Sequence, residues 1–197
     1  MISNDFYCEE KLNGGKSLHK RSDSMQDTIC TGHSGLECNS QEKLPDKAHC
    51  KLCEILRESE ENEMFIVTLE FGSLFLHWNQ SYLGRCLYIS NTHVDNFPHI
   101  DHELFTNLNR EMVLICKVIE EIFKPTLINF ASLGNTIKHF HYHIIPRYKH
   151  DPNWGRPPWP AAEKELTRKG YEELTTKIRT SLEGFYDQKN KVSIKTY

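Results

Sequence analysis

One stretch constrains the chain more than any other: His139-Phe140-His141-Tyr142-His143-Ile144-Ile145, running on into Pro146-Arg147-Tyr148. Histidines alternate with aromatic residues and then meet a β-branched pair. A period of two is that of a strand, whose successive side chains point to opposite faces. The pattern predicts three imidazoles in one row on one face, with Phe140, Tyr142 and Ile144 packed on the other. A row of imidazoles does not make a core. It supplies groups that serve as nucleophile, acid, base or metal ligand near neutral pH.

The 197 residues suffice for one domain of ordinary size plus tails. A formal net charge of -3 implies no general attraction to nucleic acid or to an anionic membrane, so neither is expected as a partner. No run of about 18 apolar residues suggests a membrane span. The first residues lack the basic and apolar regions of a secretion signal. Seven cysteines (Cys8, Cys30, Cys38, Cys50, Cys53, Cys86 and Cys116) are an odd number. Reduced thiols, some of them holding metal, are expected rather than a disulfide framework, and the expected location is the cytoplasm.

Residues 1–47 are rich in Ser, Asn, Gln, Gly, Asp and Lys and show no sustained period, so they read as a poorly ordered extension. Residues 48–160 read as the folded domain and 161–197 as a C-terminal helix and tail. Within the domain, strands are expected at 65–71, 74–78, 85–90, 126–132 and 137–147, with a tight turn at Gly72-Ser73. Ile66, Leu69, Phe75, Leu87 and Ile89 are expected in the core. Leu104, Leu108, Met112, Ile115, Ile119 and Ile122 recur at helical steps and predict one long helix from Asp101, its N-cap, to about Phe123. Prolines make residues 150–160 a loop. Its Trp154 and Trp159 are expected to fold back over the sheet or to line a cleft. A last helix is expected from Ala161 to about Asp187. These elements predict an α+β fold, a five-stranded antiparallel sheet with a long helix packed on it.

Cys50-Lys51-Leu52-Cys53 is a C-x-x-C pair whose thiolates can grip one zinc ion. Alone it is half of a structural site. The alternatives are a redox motif, weakened by the lack of a thioredoxin-like βαβ pattern, or no function.

The chain resembles the histidine triad (HIT) family. The resemblance rests on His-x-His-x-His-x-x at 139–145, on the order meander, long helix, Gly-Asn turn and histidine strand, and on Gly84-Arg85-Cys86, Thr92-His93 and His143-Ile144-Ile145-Pro146-Arg147-Tyr148. It covers about residues 48–160, and these last segments are similar to those of the bacterial members.

What the resemblance implies is a nucleotide hydrolase or transferase. His141, the middle histidine, would attack the α-phosphorus of a dinucleoside polyphosphate or nucleoside phosphoramidate, giving a nucleotidyl-histidine that water resolves. His143 would donate a proton or hydrogen bond. Gly134, Asn135 and Thr136 would add phosphate contacts, or simply form a turn. Asn79 would hold the ribose, or serve as a turn residue. Arg85 stands where many members have histidine. It reads equally as a phosphate ligand and as an ion-pair partner, and similar Gly-Arg-Cys segments occur in one branch of the family. Zinc-containing members imply a closed Cys₂His₂ site at Cys50, Cys53, His93 and His139. In the alternative, His139 only orients His141 and the thiols are free. The resemblance also implies a homodimer. A competing reading is a nucleotide sensor or partner-binding protein with weak or no turnover. A weaker one makes the histidine row a catalytic zinc site.

Overall fold

The computed structural model describes residues 49–159 and 162–192, with side chains as far as Phe185. The expectations for 1–47, including the cysteines at 8, 30 and 38, lie outside the described residues. Helix α1 (Lys51–Arg57) comes first. Strands β1 (Phe65–Thr68), β2 (Gly72–Leu76) and β3 (Cys86–Ser90) follow as a meander. Helix α2 (His102–Phe123) leads to β4 (Leu127–Ala131) and β5 (His141–Arg147), and α3 (Arg168–Val192) closes the chain. The strands form one antiparallel sheet in the order β1-β2-β3-β5-β4, so the fold is the expected α+β one.

The register sorts the two faces. Cys86 lies opposite Ile144 and Tyr88 opposite Tyr142, on the face that receives α2. There the helix buries Leu108, Met112, Ile115 and Ile119 of the expected stripe, together with Val118. Each such side chain withdrawn from water contributes roughly 1.5–3 kcal/mol. Asp101 caps α2 as expected, its carboxylate accepting from the N–H groups of Glu103 (2.8 Å) and Leu104 (3.1 Å). Helix α3 adds Tyr171, Ile178 and Leu182 to the same core. Its Arg179 donates to the carbonyls of Phe65 (2.9 Å) and Ile66 (2.6 Å), so the guanidinium covers backbone acceptors of edge strand β1. The opposite face carries Phe75, Leu87 and Ile89 and receives α1 through Leu52. All five expected core residues are buried, but they divide between the two faces.

Several boundaries differ from the sequence expectation. Gly72 and Ser73 lie inside β2, and the turn is Leu69–Phe71, closed by Leu69 N–H to the Gly72 carbonyl at 2.8 Å. Gly72 is needed for space rather than for turning. A Cβ there would sit 2.4 Å from the Tyr88 ring. Strand β5 starts at His141 rather than at 137, because the chain bends at His139. The last helix starts at Arg168 rather than Ala161 and runs to Val192. Residues 162–167 are irregular, since their backbone bonds to the β2–β3 loop, with Gln80 N–H donating to the Lys164 carbonyl at 2.7 Å. Helix α1 had no place in the sequence reading, which assigned the Cys50–Cys53 segment no helix.

Glu111 locks α2 to the β1–β2 turn. Its buried carboxylate accepts from Phe71 N–H (3.1 Å), Gly72 N–H (3.2 Å) and the Tyr88 hydroxyl. Glu111→Ala strands all three donors and is expected to lower unfolding free energy by about 3 kcal/mol in urea titrations. A loss within ~0.5 kcal/mol of zero would show that water replaces the carboxylate.

Candidate functional site

The bend before β5 separates the three histidines. His139 stands outside the strand, its N–H bonded to the Ile137 carbonyl at 2.9 Å. Its Nε2–H donates to the Ser90 carbonyl at 2.8 Å, which leaves the Nδ1 lone pair free to act as a ligand. Nδ1 lies 3.4 Å from both the Cys50 and Cys53 sulfurs, and the Cys53 sulfur lies 3.2 Å from His93 Nδ1. All four donor atoms fall within 4.8 Å of one another. A tetrahedral zinc with ordinary Zn–S and Zn–N bonds has S···N edges of about 3.5 Å, so the donor set fits a closed Cys₂His₂ ion. Helix α1 produces this geometry, since it starts at Cys50 and brings Cys53 back to the same side within one turn.

His141 and His143 are the true strand pair, on one face with ring centroids 5.3 Å apart. His141 is buried, and its Nδ1–H donates to the His139 carbonyl at 2.6 Å. That bond fixes the tautomer and leaves a lone pair on Nε2. Burial lowers the His141 pKa, opposed by the same bond, so the imidazole is neutral at pH 7. His143 is pushed down to about 3, first by burial, then by the Arg85 guanidinium and by His141. Its Nδ1 is sealed in, with no hydrogen-bond partner among the described residues, so its chemistry belongs to Nε2.

Two further residues border His143: His77, which the sequence reading did not single out, and Trp159, which it expected to fold back over the sheet or line a cleft. His77, just past the end of β2, sits with its ring 5.7 Å from that of His143. It continues the β2–β3 ladder, its N–H donating to the Arg85 carbonyl at 2.9 Å. Asn79 N–H donates to His77 Nδ1 at 3.0 Å, so the neutral ring carries its proton on Nε2. Burial, then the Arg85 charge, holds the His77 pKa well below the usual range. Trp159 lies edge-on to His143 at 5.6 Å, and the Arg85 guanidinium lies over its ring, also at 5.6 Å. No local period points to either residue. A histidine just past the second strand of the meander, two places from the triad strand in the sheet, was the available signal.

Of the other expected site residues, Arg85 is buried among these rings. Asn79 has a structural task. Its Oδ1 accepts from Ser81 N–H (2.9 Å) and Lys164 N–H (3.2 Å), and its Nδ2 donates to the Ala162 carbonyl (3.2 Å). Gly134 takes a left-handed φ of 65° in the loop before β5, with open space around it. Asn135 and Thr136 are exposed in that loop. Residues 150–159 do fold back. Arg147, 2 % exposed, holds it by donating to Asp151 Oδ2 (2.8 Å) and to the carbonyls of Asn153 (3.0 Å) and Arg156 (3.3 Å).

Comparison with known proteins follows the same lines. The HIT domain family model matches residues 58–150. The chain is 29% identical over 136 residues to a bis(5'-adenosyl)-triphosphatase of Dictyostelium discoideum, covering 66% of this chain and 91% of that protein. It resembles a hypothetical histidine triad nucleotide-binding protein from Sulfolobus tokodaii strain7 with TM-score 0.56 and 26% identity, over 68% of this chain and 93% of the other. A Zn-bound histidine triad family protein from Mycobacterium smegmatis shares the fold with TM-score 0.58 at 19% identity, over 72% and 99% of the two chains. No helix among the described residues is long and apolar enough to cross a membrane.

The lowered histidine pKa values have a consequence for stability. The folded state holds His143 neutral down to about 3, whereas the unfolded chain protonates it near 6.5. The contribution is complete above pH ~6.5 and is lost as pH falls below that value. Melting temperature should therefore decline from pH 7 to pH 4.5, and His143→Gln should flatten part of that decline. Identical slopes for the two proteins would show that His143 is not held neutral.

Proposed function

We propose, from the premise that the chain belongs to the histidine triad family through its HIT domain at residues 58–150, that it is a nucleotide hydrolase or transferase working through a covalent nucleotidyl-histidine. The observation that carries this is the fixed tautomer of His141, with Nδ1–H bound to the His139 carbonyl and Nε2 carrying the free electron pair. That pair forms an N–P bond to the α-phosphorus while the bond from phosphorus to the leaving group breaks. Water then attacks the same phosphorus, the N–P bond breaks and Nε2 regains its pair. The water's proton passes to solvent or product.

His143 is neutral in the free protein, so it serves as a hydrogen-bonding group from Nε2. Arg85 supplies the permanent positive charge that a phosphoryl group in flight requires. An incoming phosphate would raise the His143 pKa by its own charge, making the proton available when the leaving group needs it. The backbone and side chains of Gly134, Asn135 and Thr136 are free to turn toward the phosphate. The ribose role of Asn79 is set aside, because its amide is spent on the β2–β3 loop and the 162–164 segment.

Zinc would be held by Cys50, Cys53, His93 and His139, as in the zinc-containing branch, and would supply structure by pinning α1 to the sheet. With four protein donors it leaves no position for water or substrate. We read the exposed Val113 of α2 and Phe130 on edge strand β4 as the surface where two copies meet, in a cytoplasmic homodimer.

His141→Ala should abolish turnover of diadenosine triphosphate, a loss of at least 10³-fold, while nucleotide binding persists. Wild-type protein that binds nucleotide tightly but turns over neither this substrate nor adenosine 5′-phosphoramidate would support a sensor instead. Elemental analysis should find about one zinc per wild-type chain and a large loss in Cys50→Ser. Unchanged metal in that variant would rule out the Cys₂His₂ site.

A further inference from the structure

We propose that Cys50 and Cys53 are a peroxide-sensitive dithiol, a modification site that closes to a disulfide, gives up zinc and releases the peptide that orients His141. The proposal gives the Cys₂His₂ donor set a second chemistry, and its consequence for turnover rests on His141 as nucleophile. Cys50 immediately precedes helix α1 with an extended backbone, and Cys53 lies in the first turn. Three positions along a helix put two Cα atoms about 5 Å apart, inside the ~4.4–6.8 Å window of a disulfide. Both sulfurs face one point, each 3.4 Å from His139 Nδ1 and within 4.8 Å of each other. The chain lacks a thioredoxin-like βαβ unit around this pair, yet the helical turn brings the two thiols together by itself.

Cys53 is half-buried and Cys50 is 8 % exposed, so peroxide meets the outer sulfur first and the inner one resolves the product. A metal-held sulfur stays deprotonated, and the thiolate is the form that attacks peroxide. Cys53 Sγ attacks one peroxide oxygen, the O–O bond breaks and hydroxide departs, leaving a sulfenic acid. Cys50 Sγ then attacks that sulfur. The S–S bond forms, the S–O bond breaks and a second hydroxide departs. Two thiolates have given two electrons to one peroxide, and solvent protons turn both hydroxides into water. The other described thiols do not compete. Cys86 is fully buried, and burial pushes its pKa far above the usual thiol range. Cys116 is pushed up to about 11, first by burial and then by Glu120. Disulfide formation removes two of the four donors, and the two histidines left cannot close a tetrahedral site. The His139 ring keeps its bond to the Ser90 carbonyl but loses both thiols. Its backbone carbonyl is the acceptor that sets the His141 tautomer. Loosening that carbonyl lets the His141 ring turn. Leu52 still packs α1 against Phe75, Leu87 and Ile89, so the change stays local.

Trypsin cuts at Lys51, between the two cysteines, so a Cys50–Cys53 disulfide joins the peptides 48–51 and 52–57. The zinc-loaded full chain is treated with hydrogen peroxide. The linked peptide, zinc captured by a colorimetric chelator and turnover of diadenosine triphosphate are followed together. Linked peptide and released zinc should rise in parallel. Turnover should fall roughly tenfold or more, because a small misplacement of a reacting group costs that much. Dithiothreitol with added zinc should reverse all three changes, which irreversible oxidation would not allow. The His141 Nδ1–H should give a protected imidazole signal in proton NMR that weakens on oxidation and returns on reduction. Cys116→Ser should respond as wild type does. Zinc retained with both thiols still open to alkylation overturns the dithiol. So does oxidation of either cysteine to the sulfinic acid, or its linkage to a different cysteine. Linkage and zinc release with unchanged turnover and an unchanged imidazole signal overturn the control of His141. If the reduced protein cleaves neither diadenosine triphosphate nor adenosine 5′-phosphoramidate, the catalytic reading falls, while the linked peptide and the imidazole signal still decide the dithiol.

Discussion

The hydrogen bond from His141 Nδ1–H to the carbonyl of His139 ties the two halves of the site together. It spans two residues, yet it sets the tautomer of one histidine through the backbone of another. The bond forms because the chain bends at His139 before entering β5. The bend in turn is held from two sides, by the Ser90 carbonyl on Nε2 and by the thiols of Cys50 and Cys53 facing Nδ1. The Cys/His cluster therefore holds the peptide whose carbonyl orients the His141 ring. A buried imidazole with a fixed tautomer is a better nucleophile than a surface one, because it need not shed a proton or rotate before attack.

The sheet makes this possible by giving its two faces different work. One face is closed by α2 and α3 over an apolar core that includes Tyr88, Tyr142 and Ile144. That packing leaves the other face of β5 free to carry polar groups without loss of the fold. Helix α1 covers one end of that second face, the histidines occupy the middle, and the Trp loop covers the far end. Burial is what shifts His77, His141 and His143 toward neutrality, and Arg85 adds charge to the same small volume. The arrangement separates roles. Neutral imidazoles supply electron pairs and N–H groups, and a guanidinium that cannot lose its proton supplies the charge.

The loops are ordered by a few buried polar side chains. Gln80 is fully buried and bridges the β2–β3 loop, donating to the carbonyls of His77 and Arg85 and accepting from Gly84 N–H. Arg147 does the same for the 148–156 loop. Gln80 bonds the Arg85 carbonyl and Arg147 ends the histidine strand, so loop order and site geometry are coupled.

Much of this was legible in the chain. The period of two around His139–Ile145, the apolar stripe of α2, the Asp101 cap and the Cys50/Cys53 pair are local patterns, and local patterns are set by backbone geometry that a sequence displays directly. What the sequence misread shares one cause. His139 looked like a third member of a strand row, Gly72-Ser73 like a turn and Ala161 like the start of a helix. Each was redirected by a partner 16 to 89 positions away: the Cys50 thiol for His139, the Tyr88 ring for Gly72, and the mutual bonds of Asn79 with the 162–164 segment. His77 became a neighbour of His143 through strand register alone, whereas the return of the Trp159 loop was foreshadowed by its prolines and tryptophans. The sequence by itself determined which residue types were available and which face of each element they occupy, because those follow from helical and strand periods. The tertiary structure decided the surroundings of each histidine, thiols for His139, a backbone carbonyl for His141 and the Arg85 charge for His143, because tautomer, burial and neighbouring charge exist only once distant segments meet.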